Sequence, residues 1–177
     1  MRTITKNVYQ FSELSDEAKQ TALEKNAETE EYFWGRDAIT SLEKFAEHFN
    51  CTLKNYQIDW TEKYRNEVKF DVPEYVQDWT EKELKAQILS MGKFNKKTLK
   101  GIGECKFTGV CFDEDAADGA REAFFKGERD IKEILYAGYE SWYKSCNADY
   151  EYQLSEEGYA EHCEANDYEF YEDGEMI

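Results

Sequence analysis

Carboxylates dominate the side chains of this sequence that could do chemistry, and they are concentrated at one end. The segment 149–177 contains eleven of them and no lysine or arginine, so it contributes −11 to a net charge of −17. Within it, Glu157, Glu161 and Glu164 follow at spacings of four and three residues. These spacings place them on one face of a helix, at axial steps of roughly 4.5 to 6 Å. Phosphates along a nucleic acid strand rise by roughly 3.4 Å each, so such a row could replace phosphates and accept hydrogen bonds from arginine.

Paired carboxylates can also perform acid–base or metal-assisted catalysis. The chain has 39 acidic residues, so chance proximity between two of them carries little information. The sequence contains no glycine-rich phosphate loop, no nucleophile elbow and no pair of histidines at helical spacing. We therefore expect a protein that is not an enzyme, with no catalytic residue and no cofactor.

One acidic motif resembles the start of a calcium-binding loop. Asp113, Asp115 and Asp118 are spaced suggestively, but the fifth position of the loop is Ala117 and the twelfth is Phe124. Neither residue can supply the oxygen ligand that a calcium loop needs there. We expect no calcium site, and the acids instead suit the positive end of a helix dipole.

The thiols and imidazoles give no metal or nucleophile pattern either. Zinc sites need four ligands at short paired spacings, whereas the five cysteines are scattered and the only histidines are His48 and His162. His162 and Cys163 are adjacent, so on a helix their side chains do not face each other. We expect reduced and mostly buried thiols at Cys51, Cys105, Cys111, Cys146 and Cys163.

The segment 92–107 is basic in an otherwise acidic protein. Five lysines accompany one acid, Glu104, for a net charge of +4. We expect a loop that leads into a strand over residues 104–112. A solvated loop that limits edge pairing accounts for the lysines, and a contact with the backbone of a nucleic acid held by a partner is the alternative. The lysines are Lys93, Lys96, Lys97, Lys100 and Lys106.

Helix and strand signals in the first half of the chain are local and clear. Ser15 is a predicted N-cap for a helix that ends near Ala27. Apolar residues recur at intervals of four and three from Trp34 to Phe49, which predicts an amphipathic helix on the core. Alternating residues at 56–60 and 68–72 predict two antiparallel strands with one buried face.

Three further helices are predicted in the middle of the chain. Thr80 and Glu83 form a capping box for a helix over residues 81–90, which Gly92 stops. A second helix begins among the acids at 113–118, and a long third one covers residues 130–146. These patterns predict a single α+β domain over residues 1–177, with a small, mainly antiparallel sheet packed with four to five helices.

The acidic segment 149–177 carries its own folding signals. Ser155 is a predicted N-cap, with Leu154 and Tyr159 as a hydrophobic staple, for a helix from Glu156 to about Asn166. An edge-like strand with an Asp-Gly turn follows. Aromatic residues are interleaved with the acids, unlike in a disordered acidic tail, so we predict an ordered, partner-binding surface. Its residues are Asp149, Glu151, Glu156, Glu157, Glu161, Glu164, Asp167, Glu169, Glu172 and Asp173.

Four segments of the sequence together carry a family resemblance: VYQFSELSDEAKQTALEKN, AITSLEKFAEHFNCTLKNYQI, CKFTGVCFDEDAADGAREAF and DYEYQLSEEGYAEHCEANDYEFYEDGE. They resemble a family of small acidic proteins encoded by bacteriophages and prophages of Gram-positive bacteria. The resemblance covers most of the chain, but its motifs are helix caps and core residues, so it implies no site residue. Some such proteins are similar to anti-CRISPR inhibitors, and the resemblance therefore implies a type II CRISPR effector nuclease with its guide RNA as the partner.

The expected function is an anti-CRISPR protein that blocks DNA binding or cleavage in the bacterial host cytoplasm. RNA-guided nucleases hold nucleic acid in positively charged channels, which an acidic surface can enter. Two alternatives remain open: an antitoxin or antirestriction-type protein that neutralises another basic nucleic-acid-binding protein, and an acidic face that only keeps the protein soluble. We expect no direct DNA binding, because most of the surface repels phosphates, and no membrane span.

Overall fold

The computed structural model describes residues 6–27, 32–103, 107–109 and 112–177. Within them it contains seven α-helices and four short strands, which confirms the α+β class. The strands form two separate antiparallel pairs, the first with the last and the second with the third. In chain order the elements are β1 (Tyr9–Gln10), α1 (Asp16–Ala27), α2 (Gly35–His48), β2 (Thr52–Gln57), β3 (Glu67–Asp71), α3 (Glu74–Gln77), α4 (Glu81–Ser90), α5 (Phe112–Lys126), α6 (Ile131–Gln153), α7 (Glu156–Ala165) and β4 (Glu169–Phe170).

The chain divides into two compact units. Residues 1–33 and 149–177 form one of them, called here the terminal unit. Residues 34–148 form the other, the central unit. The division falls inside α6, whose residues from Asp149 onward belong to the terminal unit. The acidic C-terminal segment therefore folds with the N-terminal segment of the chain.

The terminal unit packs α1 and α7 with the strand pair β1–β4. Tyr9 is paired with Phe170 and Gln10 with Glu169. The predicted N-cap is confirmed, because the Ser15 hydroxyl accepts a hydrogen bond from the backbone N–H of Ala18 at 3.3 Å. Burial of each large apolar side chain stabilises such a core by roughly 1.5 to 3 kcal/mol. The buried residues are Phe11, Leu14, Ala18, Ala22, Tyr159, Cys163 and Phe170.

The central unit is organised around α2, α5 and α6. The predicted apolar stripe of α2 is buried from Ala38 onward, whereas Trp34 precedes the helix and is 40% exposed. The indole N–H of Trp142 on α6 donates to the carbonyl oxygen of Ala38 at 3.0 Å. A Cβ atom at Gly138 would lie 2.3 Å from the ring of Phe45, so α6 approaches α2 as closely as it does only because this residue is glycine.

The pairing of β2 with β3 confirms the predicted antiparallel strands, but the first strand begins and ends earlier than predicted and lacks the predicted buried face, since Tyr56 is 48% exposed. That strand ends before Ile58, and Trp60 lies in the connecting loop. The carboxylate of Asp59 turns the chain there by accepting the hydroxyl of Thr61 and the backbone N–H groups of Thr61 and Glu62. These bonds, the Thr61 hydroxyl first, lower the pKa of Asp59 to about 2.

Two predictions in the second half of the chain are corrected. The strand expected over residues 104–112 is wrong where the structure describes it, because residues 107–109 form a bend and Phe112 begins α5. Residues 104–106 and 110–111 lie outside the described residues. The long helix continues to Gln153 instead of ending near Cys146, and the ring of Tyr150 in this extension packs at 5.5 Å from that of Tyr32.

The remaining helix predictions are confirmed. The capping box on α4 forms: the Glu83 carboxylate accepts the N–H of Thr80 at 2.8 Å, and the Thr80 hydroxyl accepts the N–H of Glu83. α4 ends at Ser90, and Gly92 follows with a φ of 113°. Among the described residues, no helix is long and apolar enough to cross a membrane.

Candidate functional site

Negative charge is concentrated in the terminal unit. Its sequence holds eighteen acidic and four basic side chains, a net charge of −14. The central unit holds 21 acidic and 18 basic side chains, a net charge of only −3. The charge of this protein therefore belongs mainly to one folded unit with its own apolar core.

The helix α7 presents the predicted carboxylate row. The Ser155 hydroxyl accepts the backbone N–H of Gly158 at 3.1 Å, which confirms the predicted cap. Glu157, Glu161 and Glu164 are all exposed, and we call them the acidic face. Neither Glu157 nor Glu164 forms an ion pair with any residue that the structure describes, so both carboxylates are available to a cationic partner.

The opposite side of α7 is fixed by close packing. The ring of Tyr159 meets that of Phe11 edge to face, with centroids 5.1 Å apart, and Phe11 meets Phe170 in the same way at 5.9 Å. A Cβ atom at Gly158 would lie 2.2 Å from the carbonyl oxygen of Tyr152. Because α7 starts against the last turn of α6 without intervening side-chain atoms, the acidic face has a defined position within the terminal unit.

An aromatic side chain lies beside the acidic face. Tyr152 is 41% exposed. Loss of hydration, the hydrogen bond to Glu161 and the negative charges of Glu161 and Glu157 all raise the pKa of its phenol. Exposed tyrosines are favoured anchors at protein interfaces because they combine a large apolar ring with a polar end. The arrangement can therefore contact both the charge and the aliphatic stem of an arginine.

Not all of the predicted binding residues are equally available. Asp149 serves the fold of the terminal unit, since its carboxylate accepts the Tyr32 hydroxyl and the Gln153 amide, both at 2.7 Å. Glu156 lies 3.9 Å from the ammonium group of Lys19. The other predicted residues outside the acidic face are exposed and lie in the last turns of α6 or after α7: Glu151, Asp167, Glu169, Glu172 and Asp173.

The structure adds cationic side chains that pattern reasoning on the sequence missed. Lys19 of α1 lies near Glu156 and also 5.9 Å from the ring of Phe11. The ammonium group of Lys6 lies 4.0 Å from the ring of Tyr171. No local pattern indicates the contacts of Lys19 with Glu156 and of Lys6 with Tyr171, because each joins the two ends of the chain. Both lysines reduce the negative charge around the edges of the terminal unit and leave the acidic face uncovered.

The acids that resemble a calcium loop have structural roles instead. Asp113 is buried, and its carboxylate accepts the Ser41 hydroxyl at 2.6 Å. It also accepts the backbone N–H groups of Phe107, Thr108 and Gly109 at 2.9, 2.7 and 3.2 Å. These three N–H groups cannot pair with a strand, which explains the bend at 107–109. No cluster suited to a metal ion occurs among the residues that the structure describes.

The central unit also contains a surface groove of about 760 Å³ between α5 and α6. Small residues on its floor, among them Gly119 and Ala137, let the two helices approach each other. The charged side chains that line it balance in number: Lys100, Lys126 and Lys144 against Asp115, Glu122 and Glu140. A charged ligand would therefore find no net attraction there, unlike at the acidic face.

Comparisons with known proteins return no relative: no family model, no curated protein and no solved structure matches this chain. The class that the fold and the surface define is a small α+β protein with a strongly acidic terminal unit.

Proposed function

We propose that this protein binds a basic, nucleic-acid-binding protein through its acidic face and prevents that partner from acting on nucleic acid. The observation that carries this proposal is the acidic face itself: three exposed carboxylates, Glu157, Glu161 and Glu164, on a helix whose other side is packed into a core. Glu157 and Glu164 form no ion pair with any residue that the structure describes, and Glu161 accepts a hydrogen bond from Tyr152. Burying such a row against arginine side chains replaces phosphates with carboxylates in the same bidentate hydrogen bonds.

The specific partner that we propose is a type II CRISPR effector nuclease with its guide RNA, met in the cytoplasm of a bacterial host. The resemblance to phage-encoded proteins that we infer from the sequence motivates this choice, and the physics of the effector supports it. Such effectors hold nucleic acid in positively charged channels and read a short duplex motif through arginines. The acidic face belongs to a terminal unit whose net charge is −14. Electrostatic attraction would steer this unit toward such a channel. The protein would act by binding, without catalysis or a cofactor.

The direct test is DNA cleavage by a panel of purified, guide-loaded type II effectors, with and without a molar excess of this protein. We expect cleavage by at least one effector to fall and the affinity of the complex to decrease with added salt. If cleavage by every effector is unchanged, the CRISPR assignment is wrong. If this protein then captures a toxin or a restriction enzyme from a bacterial lysate, the partner is still a basic nucleic-acid-binding protein, and only its identity differs from the proposed one.

The acidic face is tested separately with the triple variant Glu157→Gln, Glu161→Gln and Glu164→Gln. We expect it to bind the partner at least about tenfold more weakly, because several charge-assisted hydrogen bonds are lost. A matched control removes three exposed acids of the central unit: Glu74→Gln, Asp78→Asn and Glu133→Gln. Both variants change the net charge equally, so equal weakening would mean that overall charge, not the acidic face, governs binding.

A further inference from the structure

Residues 92–103 of the basic segment form a hairpin in the structure. Phe94 and Gly101 make an antiparallel bridge, and the N–H of Asn95 donates to the carbonyl of Lys100 at 2.8 Å. The side-chain oxygen of Asn95 accepts the backbone N–H of Lys97 at 2.9 Å and that of Thr98 at 3.3 Å. Residues 92–103, called here the lysine hairpin, therefore have a backbone whose turn is held by its own hydrogen bonds.

A buried ion pair holds the base of this hairpin. The carboxylate of Asp118 accepts the N–H of Gly101 at 2.9 Å and pairs with the guanidinium group of Arg121 at 2.8 Å. Arg121 in turn donates to the carbonyl of Met91 at 3.1 Å and lies 4.9 Å from the ring of Phe94. Both ionic partners belong to α5, so the hairpin is fixed to the core of the central unit.

The two lysines at the turn, Lys96 and Lys97, are exposed, and the ammonium group of neither forms an ion pair with any residue that the structure describes. Lys100, by contrast, lies 3.4 Å from the carboxylate of Asp118. The hairpin belongs to the central unit, whose net charge is only −3. Because exposed charges are largely screened beyond about 8 Å at physiological ionic strength, nearby groups decide what these lysines attract.

We propose that Lys96 and Lys97 contact the phosphate backbone of a nucleic acid that the partner carries. This inference rests on the proposed function. A basic partner surface would repel the hairpin, so the dense negative charge available in such a complex is that of the bound nucleic acid. Lysine binds phosphate as a mobile point charge, and an ordered backbone lowers the entropy lost when the hairpin docks. The protein would then recognise the loaded partner in preference to the empty one.

The first experiment needs only this protein and a probe. The full chain, labelled with ¹⁵N, is titrated with a short RNA–DNA heteroduplex at about 150 mM salt, where the distant acidic residues are screened, and amide shifts are followed by NMR. We expect shifts centred on the lysine hairpin that disappear in the variant Lys96→Gln, Lys97→Gln. They should persist in the matched control Lys82→Gln, Lys85→Gln, which removes two exposed lysines of α4. No shifts at the hairpin, equal loss in the control, or equal shifts with polyglutamate would overturn the proposal.

The second experiment compares guide-loaded with guide-free effector. Replacing both hairpin lysines should weaken binding to the loaded effector and lower the slope of log K against log salt by about 2, one unit for each phosphate contact. Binding to the guide-free effector should not change. The acidic-face variant should weaken both complexes. If no effector binds at all, the proposed CRISPR partner is wrong. If the loaded and the guide-free effector both bind and the lysine variant equals the wild type, only this inference fails.

Discussion

At the scale of single residues, two buried aspartates of α5 decide the course of the chain before that helix. The Asp113 carboxylate accepts hydrogen bonds from three consecutive backbone N–H groups and from two hydroxyls. The Asp118 carboxylate accepts the backbone N–H of Gly101 in the lysine hairpin. A buried carboxylate is stabilised only when its oxygens are satisfied by donors. These two side chains are therefore structural, as expected from a motif that only resembles the start of a calcium-binding loop.

The role of Asp113 predicts a large effect of a small change. In the variant Asp113→Asn, an amide NH₂ group replaces one of two oxygens that both face donors, so buried groups lose their acceptor. We expect the free energy of unfolding, measured by urea denaturation, to fall by about 2 to 3 kcal/mol. The control Ser41→Ala removes only one donor and should cost about 1 kcal/mol. A fall of equal size in both variants would show that the N–H groups of residues 107–109 contribute little.

At the scale of elements, α7 depends on its close start against α6. Glycine ordinarily destabilises a helix by roughly 1 kcal/mol relative to alanine, so replacing one is usually favourable. At Gly158 the sign should reverse, because the added Cβ would lie 2.2 Å from the carbonyl oxygen of Tyr152. The acidic face therefore owes its position to a residue that carries no charge.

The corresponding variant is Gly158→Ala. We expect it to lower the free energy of unfolding by at least about 1 kcal/mol, through overpacking, and to weaken partner binding because α7 must shift. Glu164→Ala is the control on the same helix, and as an exposed substitution it should change stability by less than about 0.5 kcal/mol. Urea denaturation compares the stability of both variants with that of the wild type, and binding to the same effector is measured for Gly158→Ala alone, because Glu164 belongs to the acidic face. A stabilised Gly158→Ala variant would show that the contact with α6 is looser than the structure indicates.

At the scale of the whole molecule, the uneven charge should make stability depend on salt. Like charges in the terminal unit repel one another in the folded state. Raising NaCl from about 10 mM to about 150 mM shortens the screening length from roughly 30 Å to roughly 8 Å. We expect the Tm to rise by about 2 to 4 °C over this range, the shift that a gain of about 1 kcal/mol gives in a protein of this size.

The acidic-face variant supplies the comparison for this effect. With three carboxylates of α7 neutralised, the rise in Tm with salt should be smaller, while the central-unit control variant should behave like the wild type. Thermal denaturation followed by circular dichroism measures all three proteins. A Tm that is flat or falls with added salt would mean that attractive pairs such as Lys19 with Glu156 offset the repulsion.

Features encoded within one turn of chain were predictable from the sequence. The caps at Ser15, Thr80 and Ser155, the stripe of α2 and the three aligned glutamates of α7 follow from spacing alone, because their partners lie three or four residues away. These signals determined the fold class and the acidic face. They could not determine which carboxylates of segment 149–177 are available, since Asp149 is occupied by Tyr32, far away in the sequence.

Only the tertiary structure decided the features that depend on distant contacts. Residues 107–109 form a bend and not a strand because Asp113 takes their N–H groups while accepting Ser41 from α2. The negative charge became the property of one folded unit because residues 6–27 supply the core under α7. Spacing along a sequence carries no information about which distant segments meet; burial of apolar surface and satisfaction of buried polar groups, summed over the whole chain, decide that.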